Sequence, residues 1–152
     1  MTMTDDNKAD EAVTCFDGGF NCAQAVLSAY CGELGLDRET ALKLACGFGA
    51  GMGRLQGTCG AVAGAYMLIG LKYGQYTVDD KQAREKTYAL VREFAGRFGE
   101  RNGTTVCRDI LGVDLINGDR QTASERVRAM CPKMVRDAAE IVRDILYKPE
   151  KA

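Results

Sequence analysis

Apolar positions in this chain recur at three- and four-residue intervals, and no segment alternates apolar and polar residues between turn signals. The cleanest stripe is Val135, Ala138, Ala139, Val142, Ile145 and Leu146; a second runs Thr87, Leu90, Val91, Phe94 and Phe98. The pattern predicts a helix over 6–16 stopped by Gly18-Gly19, a second from Asn21 as N-cap to near Gly35, and a third over 38–46 capped by Asp37. After the glycine-rich run 47–53, a fourth is expected over 58–73, apolar on nearly every side and rich in small residues (Ala61, Ala63, Gly64, Ala65). A long amphipathic helix over 79–101 follows, then a short one over 107–111 closed by Gly112 and a loop through Asn117-Gly118. The last helix is expected to open at Cys131, with Pro132 at the first helical position.

These elements predict an all-α fold, a compact bundle of about six to seven helices around the helix over 58–73. One helical domain over 1–152 is expected, with residues 1–5 as a disordered tail and no repeat or linker. Hydrophobic residues at 46% and charged residues at 27% are ordinary for a globular protein. Twenty basic residues against 21 acidic ones leave a net charge of −1, which gives no footprint for nucleic acid or an anionic membrane. The longest uncharged stretch, 55–71, contains Gln56, Thr58 and four glycines, so membrane insertion is not expected. The polar, acidic start has no signal-peptide pattern, and the cytoplasm is the expected compartment.

Candidate chemistry enters with sulfur. The chain has seven cysteines and no histidine. That removes Cys/His zinc fingers, His-ligated haem, and Ser-His-Asp or Cys-His catalysis. In a reducing compartment clustered cysteines are more often redox-active or metal-binding than structural disulfides. Cys22, Cys59, Cys107 and Cys131 each fall at an expected helix start, where unpaired N–H groups and the helix dipole favour a thiolate. Cys22, Cys59 and Cys131 also share a face with apolar residues, so their sulfurs should point inward. Cys15, Cys31 and Cys46 fall within or late in expected helices and read as small buried hydrophobes. No C-x-x-C occurs, so a shared site needs four separate helices to converge.

The other candidates are weaker. Gly49-Ala50-Gly51-Met52-Gly53-Arg54 matches neither a dinucleotide fingerprint nor a P-loop, and reads as a close-packed connection whose amides and Arg54 could line the cysteine site. Tyr66, Tyr73, Tyr76 and Tyr88 read as packing residues, and Arg97, Glu100 and Arg101 as a solvated helix end. Asp114 and Asp119 flank a loop and make no hard-metal site.

The segment Cys59-Gly60-Ala61-Val62-Ala63-Gly64, with Cys22 upstream and Cys107 and Cys131 downstream, resembles the redox-active family labelled C_GCAxxG_C_C. The label writes glycine before cysteine, where this chain has Cys59 before Gly60. The glycine-rich run, Gly70-Leu71-Lys72-Tyr73-Gly74 and Cys107-Arg108-Asp109-Ile110-Leu111-Gly112 fit too, over about 21–141. The resemblance implies a small helical protein with a redox or metal site at those four cysteines. Electron transfer through a Cys-ligated iron–sulfur cluster and dithiol/disulfide exchange both fit. An enzyme of this kind would be a thiol- or iron–sulfur-dependent oxidoreductase. A structural four-cysteine zinc site, or an interaction module whose cysteines only pack and which needs no cofactor, are the alternatives. The redox readings expect an unidentified redox partner protein; a homodimer is compatible with the sequence.

Overall fold

The structure, a computed structural model, describes residues 2–148, with side chains from residue 7 on. The described residues form seven regular α-helices: α1 (Thr2–Asp17), α2 (Cys22–Tyr30), α3 (Arg38–Cys46), α4 (Gly60–Tyr73), α5 (Lys81–Asn102), α6 (Cys107–Leu111) and α7 (Arg120–Leu146). A 3-10 turn, Cys31–Leu34, extends α2 and is closed by Gly35 in the left-handed conformation. No strand occurs among the described residues, and the all-α bundle expected from the sequence is what forms. Among the described residues no helix is long and apolar enough to cross a membrane.

Local chemistry accounts for most boundaries. Asn21 and Gln24 form a reciprocal capping box at the start of α2, and the Asp37 and Asp80 side chains accept from the amides of Thr40 and Ala83 at the starts of α3 and α5. Helix α4 is the centre: Ala61, Val62, Ala65, Leu68 and Ile69 are fully buried as it packs against α2, α5 and α7. Phe94 and Phe98 of α5 stack on each other, and Tyr66 of α4 meets Phe94 edge-on. The buried Tyr30 hydroxyl donates to the Ala139 carbonyl at 3.0 Å, tying α2 to α7.

Several expectations change. Helix α1 begins at Thr2, so of the expected tail over 1–5 only Met1 lies outside the described residues. Helix α4 begins at Gly60, with Cys59 as its N-cap, because Thr58 pairs with Val106 instead. The largest correction concerns the last helix. It begins at Arg120, capped by Asp119 through the Thr122 amide at 2.9 Å, so Cys131 is not at a helix start and Pro132 lies inside the helix. The turns before Cys131 are polar outward, but they are held by partly buried Val127 and Met130 and by Arg126, whose Nε donates to the Leu111 carbonyl at 2.9 Å. Pro132 removes only one helical hydrogen bond, the one its missing N–H would give Arg128. Arg97 and Arg101 do not form a solvated end: they reach Asp144 at 2.8 Å and Asp137 and Glu140 at 3.1 and 2.8 Å, clamping α5 to α7. Tyr76 and Tyr88 are exposed rather than packed.

Candidate redox site

The glycine-rich run does not form a regular helix. Ala50, Gly51, Met52, Gly53 and Arg54 all have φ between 56° and 71°, a single turn of left-handed helix, and Gln56 follows at 60°. Each non-glycine residue held this way costs about 1–2 kcal/mol, so its surroundings must enforce it. They do: the Gly53, Gln56 and Gly57 amides donate to the Gly49, Ala50 and Gly51 carbonyls at 2.9, 3.3 and 3.0 Å. Gly51 is required twice over, since a side-chain carbon there would lie 2.6 Å from the Gln56 Cα and 2.7 Å from the Cys107 Cβ.

Beyond that turn, two cysteine-bearing segments run antiparallel. The Cys59 amide donates to the Thr105 carbonyl and the Cys107 amide to the Gly57 carbonyl, both at 2.7 Å, and the Arg108 amide reaches the Gln56 carbonyl at 3.2 Å. This ladder brings the starts of α4 and α6 together. The buried Gln56 side chain extends the brace, donating to the Val113 carbonyl at 2.8 Å and accepting from the Leu115 amide at 2.9 Å. Gln56→Ala leaves both partners without this bond in a partly buried wall, and should destabilise the protein by about 1–3 kcal/mol, read from denaturant unfolding.

Four helices then deliver their sulfurs to one place. Cys22 at the start of α2, Cys59 before α4, Cys107 at the start of α6 and Cys131 in the middle of α7 line a single cavity of about 70 Å³. Its other walls are Ala50, Gly60 and the apolar side chains of Ile110, Leu111, Leu115, Val127 and Met134. Cys22, Cys59 and Cys107 are buried and Cys131 is half-buried. All four are free thiols, as are Cys15, Cys31 and Cys46. Cys31 is buried, as expected for a packing residue. Cys15 is half-buried, 3.7 Å from the Ser28 hydroxyl, and Cys46 is exposed at the end of α3.

The expected thiolate stabilisation does not occur. Burial pushes the Cys22 and Cys59 thiols up, Cys107 up to about 11 and Cys131 up to about 12. The Cys22 sulfur is a neighbour of each of the other three and adds to their rise. Backbone groups of Ala50, Ala23 and Ala61 draw Cys22 back down by less than burial raises it. Helix ends contribute about 0.3–1 kcal/mol, whereas full burial shifts a pKa by up to about 3–5 units. Desolvation wins.

A pH dependence follows for the metal-free protein. The folded thiols keep their protons where the unfolded chain, with ordinary thiols near 9.0, releases them. Stability should therefore be level below about pH 9 and fall as pH rises towards 11–12, seen as a falling urea midpoint.

Arg54 is exposed and does not line the cavity; of that run only Ala50 reaches it. Asp114 and Asp119 cap the loop and α7. Asp137, buried between Arg101 and Lys133, was not anticipated from sequence, because only the fold brings Arg101 of α5 against it.

The family described as "putative redox-active protein (C_GCAxxG_C_C)" matches residues 20–145. The chain belongs to that family. The match spans nearly all of the described helices, from the approach to α2 to the end of α7, and takes in all four cavity cysteines. No curated protein and no solved structure matches the chain. Membership of C_GCAxxG_C_C thus gives a redox-active class.

Proposed function

We propose that Cys22, Cys59, Cys107 and Cys131 form the redox centre of this protein, and that together they hold an iron–sulfur cluster through which it carries electrons. The observation that carries this reading is that four cysteines from four helices rim one cavity whose remaining walls offer no polar side chain. Four thiolates are the usual protein ligand set for such clusters. The donor set therefore fits, with no histidine or carboxylate competing.

The size of the void supports a multi-atom group over a single ion. Tetrahedral zinc needs every sulfur about 2.3 Å from one point. Among the described residues no three His, Cys, Asp or Glu side chains are grouped to hold one metal ion. Sulfurs arranged around about 70 Å³ suit a larger occupant better. Disulfide exchange calls for an exposed thiol of low pKa, and none of the four is exposed or lowered.

When bound, a cluster would supply one-electron chemistry that side chains lack. The chain's part is to hold it and shield it. Ile110, Leu111, Leu115, Val127 and Met134 exclude water from the sulfurs, and the braced turn fixes Ala50 against Cys22. The raised thiols must lose their protons to bind metal, so loading should strengthen as pH rises through neutrality. The electron partner is expected to be another protein.

Anaerobic purification followed by metal and sulfide analysis tests the reading. Iron with acid-labile sulfide supports it. Stoichiometric zinc favours a structural site, and metal-free protein with reversibly titrating thiol pairs favours dithiol chemistry. Seven reduced, metal-free, unreactive cysteines would overturn every redox version.

A further inference from the structure

Next to the cysteine cavity lies an open groove of about 730 Å³, between the left-handed turn and the first half of α7. Ala50, Leu115 and Val127 line both spaces, so a wall about one side chain thick separates them. Arg54, Arg120 and Arg128 line the groove, and none has a hydrogen-bond or ion-pair partner among the described residues. Arg92 of α5 is also without one, but it lies outside the groove. Arg97, Arg101 and Arg136 are all bound to carboxylates, and Arg126 is fixed on the Leu111 carbonyl.

The groove's lining contains no carboxylate. The acids on the flanking loop are already engaged, Asp119 on the Thr122 amide and hydroxyl and Asp114 on the Ile116 and Asn117 amides. The arrangement has two local causes. The left-handed turn carries Arg54 to one side of the groove, with Ala50 on the shared wall. Helix α7 places Arg120, Ser124 and Arg128 four residues apart along the other side.

Three unpaired guanidinium groups around one concavity focus positive potential inside it. Their planar forks match the oxygens of carboxylate and phosphate. The volume lies in the range of roughly 300–1,000 Å³ typical of small-molecule clefts. We propose that this groove binds a small molecule carrying two or more carboxylate or phosphate groups, seated against the outer wall of the four-cysteine cavity. The site stands on the groove's own charge and shape and does not depend on what the cysteines hold.

Calorimetric titration of the full chain in low-salt buffer, with inorganic pyrophosphate and with citrate as probes, tests it. At least one probe should bind saturably, and the tighter one identifies the phosphate or the carboxylate class. Arg54→Gln and Arg128→Gln should each weaken that binding about tenfold or more, the scale of a lost charged hydrogen-bonding pair. Arg92→Gln, which removes an exposed arginine of α5 outside the groove, should leave it unchanged. Binding should also survive Cys59→Ser, so loss of the redox centre and loss of the groove are separately readable. No binding of either probe at millimolar concentration, or equal weakening by Arg92→Gln, would overturn the proposal.

Discussion

Replacing Cys22 by serine should abolish iron retention and reversible electron uptake while leaving the helical fold in place. Cys22, like Cys131, interacts with each of the other three thiols, and it is the more deeply buried of the two, so its loss affects every part of the centre. The substitution spares what starts α2, because the capping box uses Asn21 and Gln24. Circular dichroism should therefore stay near wild type, and iron per chain should fall to the background of the preparation. Cys31→Ser is the matching control. Cys31 is just as buried but lies outside the cavity, so the change should cost stability, about 1 kcal/mol for an imperfectly paired hydroxyl, and spare the iron.

Gly60→Ala should have a comparably large effect through packing alone. A side-chain carbon at residue 60 would overlap the Cys22 sulfur and lie 2.8 Å from the Phe48 carbonyl oxygen. The carbonyl belongs to the backbone leading into the left-handed turn and has little room to yield. Either Cys22 is driven out of the cavity or the turn is pushed away from α4. Destabilisation of about 1–3 kcal/mol is expected, with loss of the bound group. Gly70→Ala, in the same helix with nothing within 4 Å of the added carbon, should instead stabilise by up to about 1 kcal/mol. Opposite signs in one helix, read from urea unfolding, would locate the constraint at the cavity.

Much of the bundle was legible because its helices begin with capping residues and carry a buried stripe. Asp37 and Asn21 marked the starts of α3 and α2 correctly, and the stripe ending in Ile145 and Leu146 is buried as its spacing implies. The inward face of Cys131 was also correct, since Val135, Ala138 and Val142 on that face are fully buried. Its placement at a helix start was not. Proline suits a first helical turn so well that Pro132 concealed the real start at Asp119-Arg120, eleven residues before Cys131.

What stayed hidden was either aperiodic or non-local. The left-handed turn depends on hydrogen bonds between Phe48-to-Gly57 backbone groups that no helix or strand period encodes. The pairing of Thr58 with Val106 joins residues far apart in the chain and gives no two-residue alternation. Gln56 read as one more polar residue in an apolar stretch, yet it braces the loop at Val113 and Leu115. The thiol chemistry stays hidden for a related reason. Helix position can be read from sequence, whereas the depth of burial that outweighs it cannot.

The central claim, that the four-cysteine cavity is a redox centre, is tested most directly by anaerobic redox titration of the freshly isolated protein beside its Cys22→Ser variant. The wild-type chain should take up and return electrons reversibly, with an accompanying spectral change, and the variant should take up none. A wild-type chain that accepts no electrons, or a Cys22→Ser variant that accepts as many as wild type, would contradict the account.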